Sequence, residues 1–87
     1  MPTVRYSDAF LKSARKLPKK QQEKLASLIE LLSKNPFHPQ LHTKHLTGKL
    51  SGLYSFRITR DWRVIFQFVS PQEIELVDVA NRKDIYR

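Results

Sequence analysis

The sequence predicts an α+β domain: one short strand, a pair of helices, a long loop and an antiparallel meander of three strands, the sheet packed against the helices. Three observations lead there. The chain has 87 residues, which makes one domain, 1–87, and leaves no room for a second. Apolar residues follow helical spacing up to residue 34 and alternate with period two after residue 52. Between these halves, residues 36–52 hold two prolines, three histidines and both glycines of the chain, the composition of a loop.

The elements follow in order. Thr3-Val4-Arg5-Tyr6 reads as the first strand. Ser7 is placed to cap a helix, with Asp8 in its first turn where the helix dipole favours an acid. Phe10, Leu11, Ala14 and Leu17 lie on one face of that helix. Pro18 ends it and opens the next. Leu25, Leu28, Ile29 and Leu32 form the apolar stripe of the second helix, which Asn35-Pro36 stops. The two helices form a hairpin whose stripes face a common core. Strands are expected at 53–58, 62–69 and 73–80, with Ser70-Pro71-Gln72 as a turn.

Sixteen Lys and Arg against eight Asp and Glu give a net charge of +8 and a pI near 10.1, which points to an anionic partner, nucleic acid first. Hydrophobic residues make up 40% of the chain, enough for a compact core. There is no cysteine, which removes disulfides, thiolate metal sites and cysteine nucleophiles together. No apolar run reaches membrane-spanning length, so no membrane partner is expected. The first residues carry no signal-like run, and a cytoplasmic location is expected. No glycine-rich phosphate loop is present. The charge is also localised. Residues 31–60 contain no acid, yet carry Lys34, Lys44, Lys49, Arg57, Arg60 and the histidines His38, His42 and His45. Basic runs also lie at Lys12 to Lys24 and at Arg82, Lys83 and Arg87.

A hairpin turning at Thr59-Arg60-Asp61 sets Ile58 opposite Trp62 and Arg57 opposite Arg63, whereas a two-residue loop would shift the pairing and separate the two arginines by a diagonal. One face then carries Tyr54, Phe56, Ile58, Trp62, Val64, Phe66 and Phe68 and belongs under the helices. The other carries Ser55, Arg57, Arg63 and Gln67. Like charges facing each other across strands destabilise by about 0.2–1 kcal/mol. A phosphate between them reverses the sign, since guanidinium groups grip it bidentately. The competing reading is two exposed arginines paired with Glu73 or Glu75. The histidines have loose spacing and no carboxylate in their loop, which does not suit a metal site. A histidine among lysines suits acid–base work better. Arg82 and Tyr86 are four residues apart, so one helical turn stacks them on one side. A tyrosine there can stack on an unpaired base or donate a proton.

The stretch LTGKLSGLYSFRITRDWRVIFQF, Leu46 to Phe68, followed by DVANRKDIYR, resembles the RelE/ParE superfamily of bacterial type II toxin–antitoxin toxins. The resemblance covers nearly the whole chain, including element order. It implies the RelE-like β-α-α-β-β-β fold and a cytoplasmic toxin of the RelE, YoeB or YafQ kind. Such a toxin is a metal-independent endoribonuclease that cleaves mRNA, often on the ribosome, needs no cofactor, and is held by a cognate antitoxin in a hetero-oligomer. Arg63 matches the strand arginine that stabilises the phosphate, and Arg57 matches a basic residue in RelE and a histidine in YafQ. Asp61-Trp62 resembles the Asp-Trp pair of YafQ, and His45 its loop histidine. Arg82 and Tyr86 match the C-terminal pair of RelE. Ser55 stands where RelE has a lysine, and Lys44 lies near the place of the glutamate base of YoeB. The implied catalytic set is thus His45, Arg57, Arg63, Arg82 and Tyr86, with Lys44, Lys49, Asp61 and Lys83 binding substrate. Lys12, Lys16, Lys19 and Lys20 are placed to hold mRNA or rRNA backbone. Two alternatives share the fold: a ParE-like gyrase inhibitor without nuclease chemistry, and an inert nucleic-acid-binding relative.

Overall fold

The structure, a computed structural model, describes residues 2–85. Its elements are β1 (Thr3–Tyr6), α1 (Asp8–Arg15), α2 (Lys19–Lys34), β2 (Lys44–His45), β3 (Tyr54–Arg57), β4 (Trp62–Ser70), β5 (Glu73–Asn81) and α3 (Arg82–Ile85). Single turns of 3-10 helix at Pro39–Leu41 and Gly48–Leu50 flank β2. The α+β class and the element order are those the sequence predicts. The sheet differs in two ways. It has five strands in the order β1-β5-β4-β3-β2, because the loop contributes the two-residue strand β2. It is also mixed rather than purely antiparallel: β1 lies parallel to β5, with Val4 beside Ile74 and Tyr6 beside Leu76. The intervening helices make the crossover that a parallel pair requires, and β1 covers what would otherwise be a long open edge of β5.

The main core lies between the helices and one sheet face. Phe10, Leu17, Leu25, Leu28 and Leu32 from the helices meet Phe56, Ile58, Val64, Phe66, Ile74 and Leu76 from the strands. Leu41 anchors the long loop in the same core, fully buried. A smaller cluster sits on the opposite sheet face. There Leu46 and Ile85 close over Ile65, with Leu50, Leu53, Val77 and Ala80 around them. The loop after β2 and the turn of α3 therefore cover part of the face that alternation alone reads as polar.

Helix α1 is fastened to a bulge in β5. Between Ile65 and Phe66 of β4 the register shifts, with Ile65 opposite Asp78 and Phe66 opposite Leu76, so Val77 is the extra residue. Ser7 donates its backbone N–H to Leu76 O at 3.1 Å and its hydroxyl to Val77 O at 2.6 Å. Its Oγ accepts from the Phe10 N–H at 3.0 Å, the expected N-cap. The Asp78 carboxylate accepts from the Val79 N–H and from the Ser13 hydroxyl. At the bulge, the Leu76 and Val77 carbonyls are thus met by the Ser7 cap of α1, and the Val79 N–H by the neighbouring Asp78 carboxylate. Ser7→Ala removes the cap and the Val77 bond together, so it should destabilise by about 1–2 kcal/mol. Urea unfolding followed by far-UV circular dichroism measures this.

Candidate functional site

The β3–β4 pairing follows the expected register. Tyr54 lies opposite Phe66, Phe56 opposite Val64 and Arg57 opposite Arg63, and the Ile58 N–H reaches Trp62 O across the turn. Both arginines therefore project from the sheet face away from the main core. Arg63 is 5% exposed, and its other strand neighbour is Ala80. The Nε of Arg57 is buried with no hydrogen-bond partner among the described residues. Glu73 and Glu75, the carboxylates the sequence offered to these arginines, have other partners. Glu73 pairs with Arg5 at 3.2 Å, and Glu75 accepts from the Gln67 amide at 2.8 Å.

Around the arginine pair opens a cleft of about 770 Å³, lined by Lys44, Arg57, Arg63, Arg82 and Lys83, with Asp61 and Asn81 between them. Among the described residues, five cations thus face one carboxylate. Each wall has a local cause. Lys44 is carried by β2, opposite Ser55 of β3, and two residues on from Ser55 on the same face is Arg57. Arg82 is drawn in by its backbone N–H, which donates to Asp61 O at 2.7 Å. The Asn81 side chain accepts from the Lys83 N–H at 3.1 Å and starts the turn of α3. Ile85 then seals that turn onto Leu46 and Ile65. The expected single helical turn at the C-terminal end is present as α3.

Two expected residues sit elsewhere. His45 is next to Lys44 but pairs with Tyr54, so alternation turns its ring to the opposite sheet face. There it touches the Tyr54 ring at 4.9 Å. The structure does not bring it to the arginines. Lys49 lies in a second groove of about 650 Å³, which His45 also lines, with Thr47, Gly48 and Asp84. Tyr86 lies outside the described residues. The sequence reading passed over Asn81. The signal available was its place just before Arg82-Lys83, as an amide able to start a turn. Among the described residues, no three His, Cys, Asp or Glu side chains converge to hold a metal ion, and no helix is long and apolar enough to cross a membrane.

Residues 4–86 match the family model described as ParE toxin of type II toxin–antitoxin system, parDE. The chain belongs to this toxin family. It is accordingly a toxin of a type II toxin–antitoxin system. Comparison with curated protein sequences yields no significant match. Among solved structures, YafQ from E. coli strain BL21(DE3) superposes over 100% of both chains with a TM-score of 0.79 at 19% identity. The YoeB/ParE toxin from Agrobacterium tumefaciens covers 94% of this chain and 99% of its own, with a TM-score of 0.78 at 21% identity. RelE in the archaeal RelE–RelB complex from Pyrococcus horikoshii OT3 covers 93% and 94%, with a TM-score of 0.77 at 22% identity. At these identities the likeness is one of fold.

Like charges directly opposite each other on neighbouring strands repel, and Arg57 and Arg63 are so placed. Replacing Arg57 by Met keeps much of the apolar stem and removes the charge. Arg57→Met should raise unfolding free energy by about 0.2–1 kcal/mol while weakening retention on a phosphate or heparin matrix. Urea unfolding and salt elution, run on the same protein, check the two halves.

Proposed function

We propose that this toxin is an endoribonuclease that cleaves mRNA, with the scissile phosphate seated between Arg57 and Arg63. The observation that carries the reading is that cross-strand pair, set in a cleft with Lys44, Arg82 and Lys83. In RNA the 2′-OH attacks the adjacent phosphorus and the 5′-oxygen leaves. The products are a 2′,3′-cyclic phosphate and a 5′-hydroxyl. Negative charge grows on the non-bridging oxygens in the transition state, where fixed guanidinium groups act most strongly. Arg57 and Arg63 hold those oxygens, and Arg82 orients the scissile nucleotide.

Proton transfer needs an acceptor near the 2′-OH and a donor near the leaving oxygen. Asp61, the one carboxylate lining the cleft among the described residues, takes the role that the sequence first suggested for His45. Return of a proton to the 5′-oxygen falls to the Lys44 ammonium or to the Tyr86 hydroxyl. This chemistry asks for no metal or cofactor. The ribosome is the proposed setting, since a cleft of this size contacts few nucleotides and a bound message would be presented in place. A cytoplasmic location goes with that setting. The proposed protein partner is a cognate antitoxin, as in the heterotetrameric YoeB–YefM toxin–antitoxin complex from Staphylococcus aureus, with an acidic or amphipathic segment covering the cations.

The test pairs two readouts after induction: mapping of mRNA 5′ ends and an assay for trapped gyrase–DNA complexes. Discrete mRNA cuts with intact gyrase turnover are expected. On translated mRNA in vitro, Arg57→Ala and Arg82→Ala should each slow cleavage by about 10²-fold or more, and Asp61→Asn by about 10²–10⁴-fold. Intact mRNA together with trapped gyrase would overturn the reading in favour of the ParE-like gyrase inhibitor. Intact mRNA and unaffected gyrase would leave an inert binding protein.

A further inference from the structure

On the sheet face opposite the cleft, four aromatic rings meet at the end of α2. Phe37 stacks on Phe68 with centroids 6.2 Å apart and 20° between the planes. It meets Tyr54 edge-on at 6.1 Å, and Tyr54 touches His45 at 4.9 Å. Phe37 nevertheless keeps 58% of its surface exposed, more than any other large hydrophobic side chain among the described residues. The surrounding loop is tied down. Asn35 Oδ1 accepts from the Phe37 N–H at 3.0 Å, the Thr43 hydroxyl donates to Pro36 O at 2.6 Å, and Leu41 is fully buried. A rigid loop is holding an aromatic ring in water, where it forfeits the free energy that burial would return.

What such a ring suits follows from its surroundings. Residues 31–60, which supply Phe37, His45 and Tyr54 together with Lys44 and Arg57 of the cleft, contain no acid. The matching ligand is an anionic chain that carries flat aromatic groups, which is the description of single-stranded nucleic acid. An acidic amphipathic peptide shares the charge, but it seeks a groove for aliphatic side chains, whereas a half-stacked ring offers a π-face. The path from the cleft is short. Lys44 and His45 are consecutive residues of β2 that face opposite sides of the sheet, one opposite Ser55 and the other opposite Tyr54. β2 is also the edge strand, so a bound chain passes around it without crossing another strand.

We propose that Phe37, backed by Tyr54, Phe68 and His45, is a stacking site for an unpaired base of the same RNA whose phosphate lies in the cleft, the strand turning around the edge of β2. This inference rests on the RNA reading of the cleft. Its test measures binding of a 2′-O-methylated oligoribonucleotide, which cannot be cut, by fluorescence anisotropy. The proteins are the full chain and its Phe37→Ala, Phe37→Trp and Arg82→Ala variants. Phe37→Ala should weaken binding by about five- to a hundredfold, and Phe37→Trp should restore it. Emission from the new tryptophan should be quenched on binding, beyond any change that Trp62 shows in the unsubstituted chain. A dinucleotide, too short to round β2, should bind Phe37→Ala as well as it binds the unsubstituted chain. Unchanged oligonucleotide affinity in Phe37→Ala, with loss in Arg82→Ala, would overturn the stacking site and leave the RNA reading standing. Failure of the unsubstituted chain to bind, or indifference to Arg82→Ala, would overturn the RNA reading and this inference with it. If Phe37→Ala spares RNA but weakens binding of an acidic amphipathic peptide, the patch is a protein-docking surface and the inference fails.

Discussion

The pairing of Tyr54 with Phe66, Phe56 with Val64 and Arg57 with Arg63 is the constraint from which the rest follows. Side chains of a strand alternate strictly, so a one-residue slip of β3 would carry Phe56 and Ile58 out of the core and drive Arg57 into it, and a slip of β4 would do the same with Val64, Phe66 and Arg63. Burial of those four apolar side chains, each fully enclosed, fixes the register far more firmly than repulsion between two guanidinium groups can oppose it. The arginines are thereby held face to face by packing on the other side of the sheet. A small domain has few ways to keep like charges together, and this one does so with its core.

The remaining walls of the cleft depend on the same hairpin. Its turn supplies Asp61 O, which fixes the start of α3 through Arg82. Its outer edge pairs with β2, which presents Lys44. The second apolar cluster, Leu46 with Ile65 and Ile85, then clamps the loop and α3 down on either side of the arginines. Site and fold are not separable here: removing α3 would open the smaller core, and releasing the loop would lose Lys44. The mixed sheet is continuous from β1 to β2, so the bulge that Ser7 and Asp78 satisfy at one end and the cleft at the other belong to one hydrogen-bonded frame.

Much of this was legible from spacing. The helices, the Ser7 cap, the hairpin register and the turn at Arg82 depend on neighbours in sequence, where local periodicity speaks directly. Three features were not. The parallel seat of β1 beside β5 depends on partners at the far end of the chain, and no pattern within Thr3–Tyr6 encodes it. The strand β2 is two residues long, and its pattern is too short to separate from the loop around it. The orientation of His45 followed from β2. A histidine near arginines in sequence can lie across a sheet from them in space, and one residue decides which. Phe37 was passed over for a related reason: an aromatic in a proline-flanked loop carries no periodicity, so its placement could be read only from its contacts with Phe68 and Tyr54.

The proposed chemistry of the cleft depends on Arg57 and Arg63 acting as one anion site. Side-chain Nε–H resonances of arginine report this most directly. In a ¹⁵N NMR titration with a non-hydrolysable dinucleotide phosphodiester analogue, the Nε–H signals of Arg57, Arg63 and Arg82 should move together, saturably, along a single binding curve. Stationary signals from Arg57 and Arg63, with shifts confined to the lysines and arginine of α1 and α2, would contradict it.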